Sequence, residues 1–311
     1  MNIVITGGSG FVGSYLCEKL INDGHEIIVV DNLLTGSTEN INHLMHNENF
    51  SFIEHDVQNH IEIENKVDYV LHFASAASPK AYTEHPVNTL KAGSVGTINT
   101  LGLAKKHDAE YLLASTSEVY GDPLISPQTE EYWGNVNPNG DRSMYDEAKR
   151  FAEAAVATYS RSYDLKTKIV RIFNTYGPRM QLNDGRVVTN FIVQALKNEN
   201  ITIYGDGSQT RSFSYVEDTV AGIISLMNSS EYDVFNIGNP NEMTVGQLAE
   251  KIVELTDSTS EIKYLELPND DPKQRKPDIT KAKTKLNWEP KVNLEDGLTK
   301  TIKWVEGQLS K

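Results

Sequence analysis

Short runs rich in β-branched residues alternate with longer stretches of 3.6-residue periodicity along the first half of the chain. Residues 2–6 (NIVIT), 26–31 (EIIVVD), 50–56 (FSFIEHD), 67–74 (VDYVLHFA) and 111–115 (YLLAS) read as strands. Helices are predicted at 11–22, about 87–106 and about 144–162, with a strand at 167–173 after the last of them. Such alternation builds an α/β fold, a doubly wound parallel sheet covered by helices on both faces, whose ligands lie at the carboxyl ends of the strands. After Asn174 the pattern changes to loop-like text (NTYGPRMQLNDGRVV) and shorter elements, with turns at 205–207 and 239–241. The apolar segment 216–238 predicts a strand and helix that return to the main sheet. The expected division is therefore 1–173 plus about 216–238 as the main unit, and about 174–215 plus 239–311 as a smaller, interleaved α/β lobe.

Composition narrows the function classes. With 311 residues and 39% hydrophobic content the chain can bury a real core. The strand-like run begins at Asn2 and no long apolar stretch occurs, so neither a leader peptide nor a membrane span is expected, and a cytoplasmic location follows. Cys17 is the one cysteine and the eight histidines lack paired spacing, so no disulfide and no metal are expected. A net charge of −14 opposes general attraction to nucleic acid or anionic lipid. An anionic ligand must then be held locally, and all eight arginines lie between Arg142 and Arg275.

The segment ITGGSGFVGSYL places Gly7, Gly10 and Gly13 directly after the first strand, with Phe11 and Val12 at the opening of the first helix. Glycines there let the backbone turn tightly and approach a pyrophosphate, whose charge the helix N-terminus favours. The spacing is GxxGxxG, and in this context it predicts a Rossmann-type dinucleotide site. Asp31 ends the second strand, followed by Asn32; a carboxylate at this place accepts ribose hydroxyls and repels a 2′-phosphate, which selects NAD over NADP. Asp56, followed by Val57, serves either adenine recognition or a strand-end Asx turn. Ala74, in HFAS, offers a small residue beside the cofactor.

Further along, ASTSEVYGDP ends a predicted strand with Thr116, Ser117 and Glu118, and YDEAK places Tyr145 and Lys149 on one helical face. Together with the glycine turn and Asp31, these residues resemble the extended short-chain dehydrogenase/reductase family of NAD-dependent epimerases and dehydratases, over essentially the whole chain. The resemblance implies that Tyr145 transfers the proton of a sugar hydroxyl while hydride moves to NAD. Lys149 would then stabilise the phenolate and hold the nicotinamide ribose, and Thr116 would bind the reacting oxygen. A nearby ammonium and a positive nicotinamide are expected to lower the phenol pKa.

Glu118 separates the chemistries within the family. A 4-epimerase needs no such carboxylate, and a 4,6-dehydratase resembles Thr-Asp-Glu where this chain has Ser117. Oxidation at C4 of a sugar carrying a C5 carboxylate creates a β-keto acid that loses carbon dioxide without a base, after which one proton is needed at C5. STSEVYGDP, NPNGDRSMYDEAKRFAE, VRIFNTYGPRM, DGRVVTNFIVQAL and YGDGSQTRSFSYVED together resemble the UDP-glucuronate decarboxylase branch. That resemblance implies a UDP-glucuronate substrate, with Arg211 orienting the sugar carboxylate and Glu118 governing proton delivery; which of the two protonates C5 stays open. It further implies substrate contacts by Ser117, by Asn174 near the diphosphate, by Asn190 at a helix start, and by Arg275 at the diphosphate. Tyr82 is either a sugar contact or a packed aromatic, and Arg179 either a substrate ligand or a surface ion pair. Departures from the branch pattern at Ser75-Ala76-Ala77, Asn139 and Asp141 are expected to border the sugar pocket, and Thr189 is a further, modest departure. A 4-epimerase or 4,6-dehydratase is the alternative activity, and a non-catalytic NAD sensor a third class, disfavoured by the Thr116, Tyr145 and Lys149 set. The helices at 87–106 and 144–162 carry apolar positions on more than one face, and in this family form a four-helix homodimer contact.

Overall fold

The structure is a computed structural model and describes residues 1–266 and 274–310. Residues 267–273 and 311 of the expected second lobe lie outside the described residues. In chain order the strands are β1 (Asn2–Thr6), β2 (Glu26–Asp31), β3 (Phe50–Glu54), β4 (Tyr69–His72), β5 (Glu110–Thr116), β6 (Thr167–Ile172), β7 (Thr175–Tyr176), β8 (Ile201–Tyr204), β9 (Thr210–Ser212), β10 (Ser214–Tyr215), β11 (Val234–Ile237), β12 (Glu242–Thr244), β13 (Ile262–Leu265) and β14 (Gln274–Arg275). The helices are α1 (Phe11–Asn22), α2 (Pro79–Glu84), α3 (Pro86–Lys91), α4 (Thr97–His107), α5 (Ser143–Tyr163), α6 (Val187–Leu196), α7 (Val216–Asn228), α8 (Val245–Leu255), α9 (Thr280–Leu286) and α10 (Leu294–Leu309).

Among the described residues, seven strands form one sheet in the order β11-β6-β5-β4-β1-β2-β3, every neighbouring pair parallel. Its strands are apolar on both faces because helices cover both. Ile3 and Ile5 join one buried cluster with Leu16, Leu20 and Ile223, whereas the intervening Val4 joins the opposite cluster with Leu101, Ala104 and Val156. The strand order reverses between β1 and β4, and a crevice at the carboxyl ends opens at that point.

Three local features differ from the sequence pattern. Residues 216–238 run helix first and strand second, with α7 leading into β11, which pairs with β6. The helix expected at 87–106 is divided into α3, a π-helical turn at 92–96, and α4. Close packing accompanies that turn: a Cβ on Gly93 would stand 2.7 Å from the Ala148 methyl of α5, and one on Gly96 would stand 2.7 Å from Val57. Helix α2 was not apparent in the pattern; Ser78 caps it by accepting from the Ala81 N–H, with Pro79 in its first turn.

Candidate active site

A cavity of about 650 Å³ runs along the carboxyl ends of the sheet, from the glycine turn to Arg275. At one end, Gly7 adopts φ +73°, and a side chain there would press within 2.7 Å of the Ala74 backbone nitrogen. A Cβ on Gly13 would stand 2.2 Å from the Gly7 carbonyl oxygen, so the turn closes only with glycine. Gly10 precedes α1 without a side-chain cap, and Gly10, Phe11, Val12 and Gly13 all line the cavity. The first N–H groups of α1 therefore open into it, the donor set that a pyrophosphate requires. Asp31 is buried on the cavity wall, its Oδ2 accepting from the Ser9 N–H (3.1 Å) and its Oδ1 from the Leu33 N–H (2.9 Å). Asn32 donates to Asp56 Oδ2 (3.1 Å), while Asp56 Oδ1 accepts from the Gln58 N–H (2.9 Å). Asp56 thus forms an Asx turn and lines the cavity as well, beside the buried Val57. Ala74 completes this wall, its N–H donating to Thr6 Oγ1 (3.3 Å). The residues at this end fit a dinucleotide.

At the middle of the cavity, β5 delivers Thr116, whose hydroxyl accepts from the Glu118 N–H (3.2 Å) and starts a 3₁₀ turn. Helix α5 brings Tyr145 to hydrogen-bonding contact with Thr116. One turn on, the Lys149 ammonium donates to the Ala114 carbonyl (2.8 Å) and lies 5.9 Å from the centroid of the Tyr145 ring. Tyr82 stacks on Tyr145 with centroids 5.2 Å apart and planes 16° apart. It is buried as a packed aromatic and also forms part of the cavity wall.

The protein's own groups do not lower the phenol pKa as expected. Burial pushes Tyr145 well above its ordinary value, and Glu118 and Asp146 add to the rise, against the hydrogen bond from Thr116. Burial also pulls the Lys149 ammonium down to about 8, with Glu153 opposing. The physical reason is desolvation: both groups are buried, and the ammonium is spent on the Ala114 carbonyl.

The far end gathers charges from distant parts of the chain. Glu118 Oε2 accepts from the Arg142 guanidinium and from Arg275 Nη2 (3.1 Å). Burial alone would raise the Glu118 pKa, but Arg275, Arg142 and Arg211 together hold it below the ordinary carboxylate value. Asp146 responds oppositely, raised to about 7 by burial and by Glu118 in spite of Arg142. Arg211 and Arg275 are direct partners across the parallel pair β9 and β14, and Arg211 also donates to its neighbour's carbonyl, Thr210 O (2.9 Å). Arg275 is 2% exposed and donates to the Gly121 carbonyl (2.9 Å) besides Glu118. Its guanidinium joins the Glu118 cluster and lines the cavity. Ser117, Asn174 and Asn190 line the same cavity.

Two further arginines have defined places. Arg179 lines the cavity but is turned to α1, where it pairs with Glu18 (2.6 Å) and lies 4.4 Å over the Tyr15 ring. Arg142 was missed by sequence reasoning. It binds Glu118, lies 5.8 Å over the Tyr82 ring, and precedes α5 so that its carbonyl accepts from the Tyr145 N–H (3.0 Å). The signal for it was its place three residues before Tyr145, first in the run of arginines.

A dinucleotide turn, a hydroxyl-flanked Tyr145 and Lys149 on one helix, and a parallel sheet beneath them define the short-chain dehydrogenase/reductase class. The chain belongs to the family whose model is described as GDP-mannose 4,6 dehydratase, matched over residues 4–301. Among curated relatives, UDP-glucuronic acid decarboxylase 1 of Xenopus tropicalis is 53% identical over 307 residues, covering 99% of this chain and 72% of that one. Among solved structures, the UDP-glucose 4-epimerase of Thermotoga maritima with UDP-glucose superimposes with a TM-score of 0.92 at 34% identity, covering 99% of this chain and all of the other. The UDP-glucuronic acid 4-epimerase of Bacillus cereus, in complex with UDP-glucuronic acid and NAD, gives 0.89 at 26% identity, covering 99% and 100%.

Proposed function

We propose that this protein is an NAD-dependent UDP-glucuronate decarboxylase that forms UDP-xylose by oxidation at C4, loss of carbon dioxide and reduction at C4. The observation that carries the reading is Glu118, a part-buried carboxylate (16% exposed) held between Arg142 and Arg275 next to Thr116 and Tyr145. A 4-epimerase has no use for that carboxylate, and the 53% identity to a decarboxylase exceeds the 34% to an epimerase. Bound NAD supplies the acceptor and donor of a hydride at C4 and a positive ring beside the phenol.

The chain's residues do the rest. Tyr145 takes the proton of the C4 hydroxyl and later returns it, with Thr116 holding that oxygen. Lys149 holds the nicotinamide ribose and adds positive charge near the ring. Arg211 orients the sugar carboxylate, and its strand neighbour Arg275 fixes Glu118 at the same end. With the C4 ketone formed, the C5 carboxylate leaves as carbon dioxide and its bonding electrons enter an enolate. One proton at C5 completes the step. Glu118 is ionised in the resting protein, so it governs this delivery by acquiring a proton during the cycle or by positioning the donor.

Residues 1–173 with about 216–238 are proposed as the cofactor unit, supported by the pairing of β11 with β6, and about 174–215 with 239–311 as the sugar-nucleotide lobe. A homodimer is proposed through α3, the turn at 92–96, α4 and α5, which carry the exposed apolar side chains Val87 (60% exposed), Leu90, Val95, Ile98 and Phe151. Sedimentation as a monomer at micromolar concentration contradicts that dimer. A cytoplasmic location is also proposed; among the described residues no helix is long and apolar enough to cross a membrane.

The test is incubation of the purified protein with UDP-glucuronate. Carbon dioxide and UDP-xylose without net NADH are expected. A six-carbon uronic acid product inverted at C4, with no gas, refutes the reading in favour of a 4-epimerase.

A further inference from the structure

We propose that residues 178–181 are a clasp that retains the dinucleotide between turnovers, an inference that rests on the NAD reading above. The reaction reduces and re-oxidises the same cofactor within one cycle, so departure of the reduced form strands a ketone. Retention therefore has chemical value, and the structure contains a strap in the right place.

The strap is fastened at both ends to the half of the chain that carries the glycine turn. At α1, the Tyr15 hydroxyl donates to the Pro178 carbonyl (3.3 Å). Arg179 donates to Glu18 Oε2 (2.6 Å) and Ser14 Oγ (3.5 Å), and its guanidinium covers the Tyr15 ring at 4.4 Å. Glu18 is held from its other side by His43 (3.3 Å). Further along, Gln181 Nε2 donates to the Thr35 carbonyl (2.8 Å), in the loop that follows Asp31. Arg186 then lies 5.9 Å over Phe11, which meets Tyr15 edge to face one helical turn away. Between its fastenings the strap buries Met180 in the core and lines the same cavity as Gly10, Asp31 and Gly36.

Arg179 holds φ +68°, a conformation that costs a non-glycine residue free energy and persists only where its surroundings impose it. Here the imposing contacts are those to Tyr15 and Glu18. Its charge is committed to Glu18, so Arg179 acts as a bolt across the cofactor cleft and not as a ligand of the sugar. Release of the dinucleotide past this wall requires the strap to come off α1 and the Thr35 loop.

The test is exchange of protein-bound NAD with isotopically labelled NAD, followed by mass spectrometry with no sugar nucleotide present. The double variant Arg179→Gln/Gln181→Ala is expected to exchange about tenfold faster or more, the factor that ~1.4 kcal/mol of lost retention gives. Tyr15→Phe, which deletes one oxygen and leaves the fold intact, is expected to speed exchange about twofold, as loss of a single modest hydrogen bond does. Exchange rates equal to the parent in both variants, with native circular dichroism, overturn the clasp. A parent protein that binds no NAD at all refutes the cofactor reading instead, and the two failures are distinct.

Discussion

Glu118→Gln removes one charge from the far end of the cavity while keeping the side chain's shape. Glu118 Oε2 accepts from two guanidinium groups, Arg142 and Arg275. Hydrogen bonds between charged groups contribute ~1.5–3 kcal/mol, and those to neutral groups ~0.5–1.5 kcal/mol, so two such changes weaken the fold by roughly 2 kcal/mol after the relief of carboxylate desolvation. For a chain of this size that lowers the melting temperature by about 4 °C. The pH dependence has a definite sign. The folded pKa of Glu118 is depressed, so its stabilisation is present above the ordinary carboxylate value and is lost as pH falls through the folded value. The gap in melting temperature between parent and variant is therefore largest near neutrality and closes in acid. Activity falls further than stability. Without a group to govern the C5 proton, UDP-xylose formation drops about 100-fold or more, the usual scale for a positioned acid or base. Oxidation at C4 depends on Tyr145 and Thr116 and continues, so reduced nicotinamide and a 4-keto sugar accumulate. Chromatography of the sugar nucleotides with absorbance of the reduced cofactor reads both effects. Unchanged UDP-xylose turnover refutes the assignment.

Other outcomes follow from the same geometry. Tyr145→Phe keeps the stack on Tyr82 but loses the Thr116 contact; turnover should fall by about 10³ with melting little changed, and a loss under tenfold contradicts the proton role. Lys149→Met should separate stability from activity. The folded Lys149 pKa lies below its unfolded value, so the charged lysine weakens the fold below about 8 and ceases to do so as pH rises past its unfolded value. The variant should therefore gain stability at pH 7 relative to pH 11, on the order of 3 kcal/mol, while turnover collapses; equal melting differences at both pH values refute the buried-ammonium account. Gly13→Ala forces a methyl against the Gly7 carbonyl, and calorimetry should show NAD affinity weakened by about 100-fold or more; unchanged affinity sinks the glycine-turn assignment.

The sheet and the dinucleotide turn were legible because both are local. NIVIT and EIIVVD carry the apolar signature of strands covered on both faces, and Gly7, Gly10 and Gly13 stand where one turn needs them. Tyr145 and Lys149 were legible for the same reason, four positions apart on one helix. The Glu118 cluster was only partly so. Glu118 could be singled out as a carboxylate the simpler chemistries do not need, but its partners come from residue 142 and from β14, and only the pairing of β9 with β14 sets Arg211 beside Arg275. The partners of Arg179 and Arg275 were not legible, because Glu18 and Glu118 lie far from them along the chain. Spacing records that Lys149 is near Tyr145, not that its ammonium is spent on the Ala114 carbonyl, so the protein's own groups leave the phenol raised. The π-helical turn at 92–96 reflects contacts of Gly93 and Gly96 with residues far along the chain, which periodicity does not record.

The central claim is that a ketone formed beside a carboxylate releases carbon dioxide and leaves C5 to be protonated within this cavity. Turnover of UDP-glucuronate in deuterium oxide, with the product analysed by mass spectrometry and proton NMR, tests it directly. The account predicts one carbon dioxide per UDP-pentose, one solvent deuteron at C5 and none at C4. A product that retains all six carbons, or a pentose carrying no deuterium at C5, contradicts it.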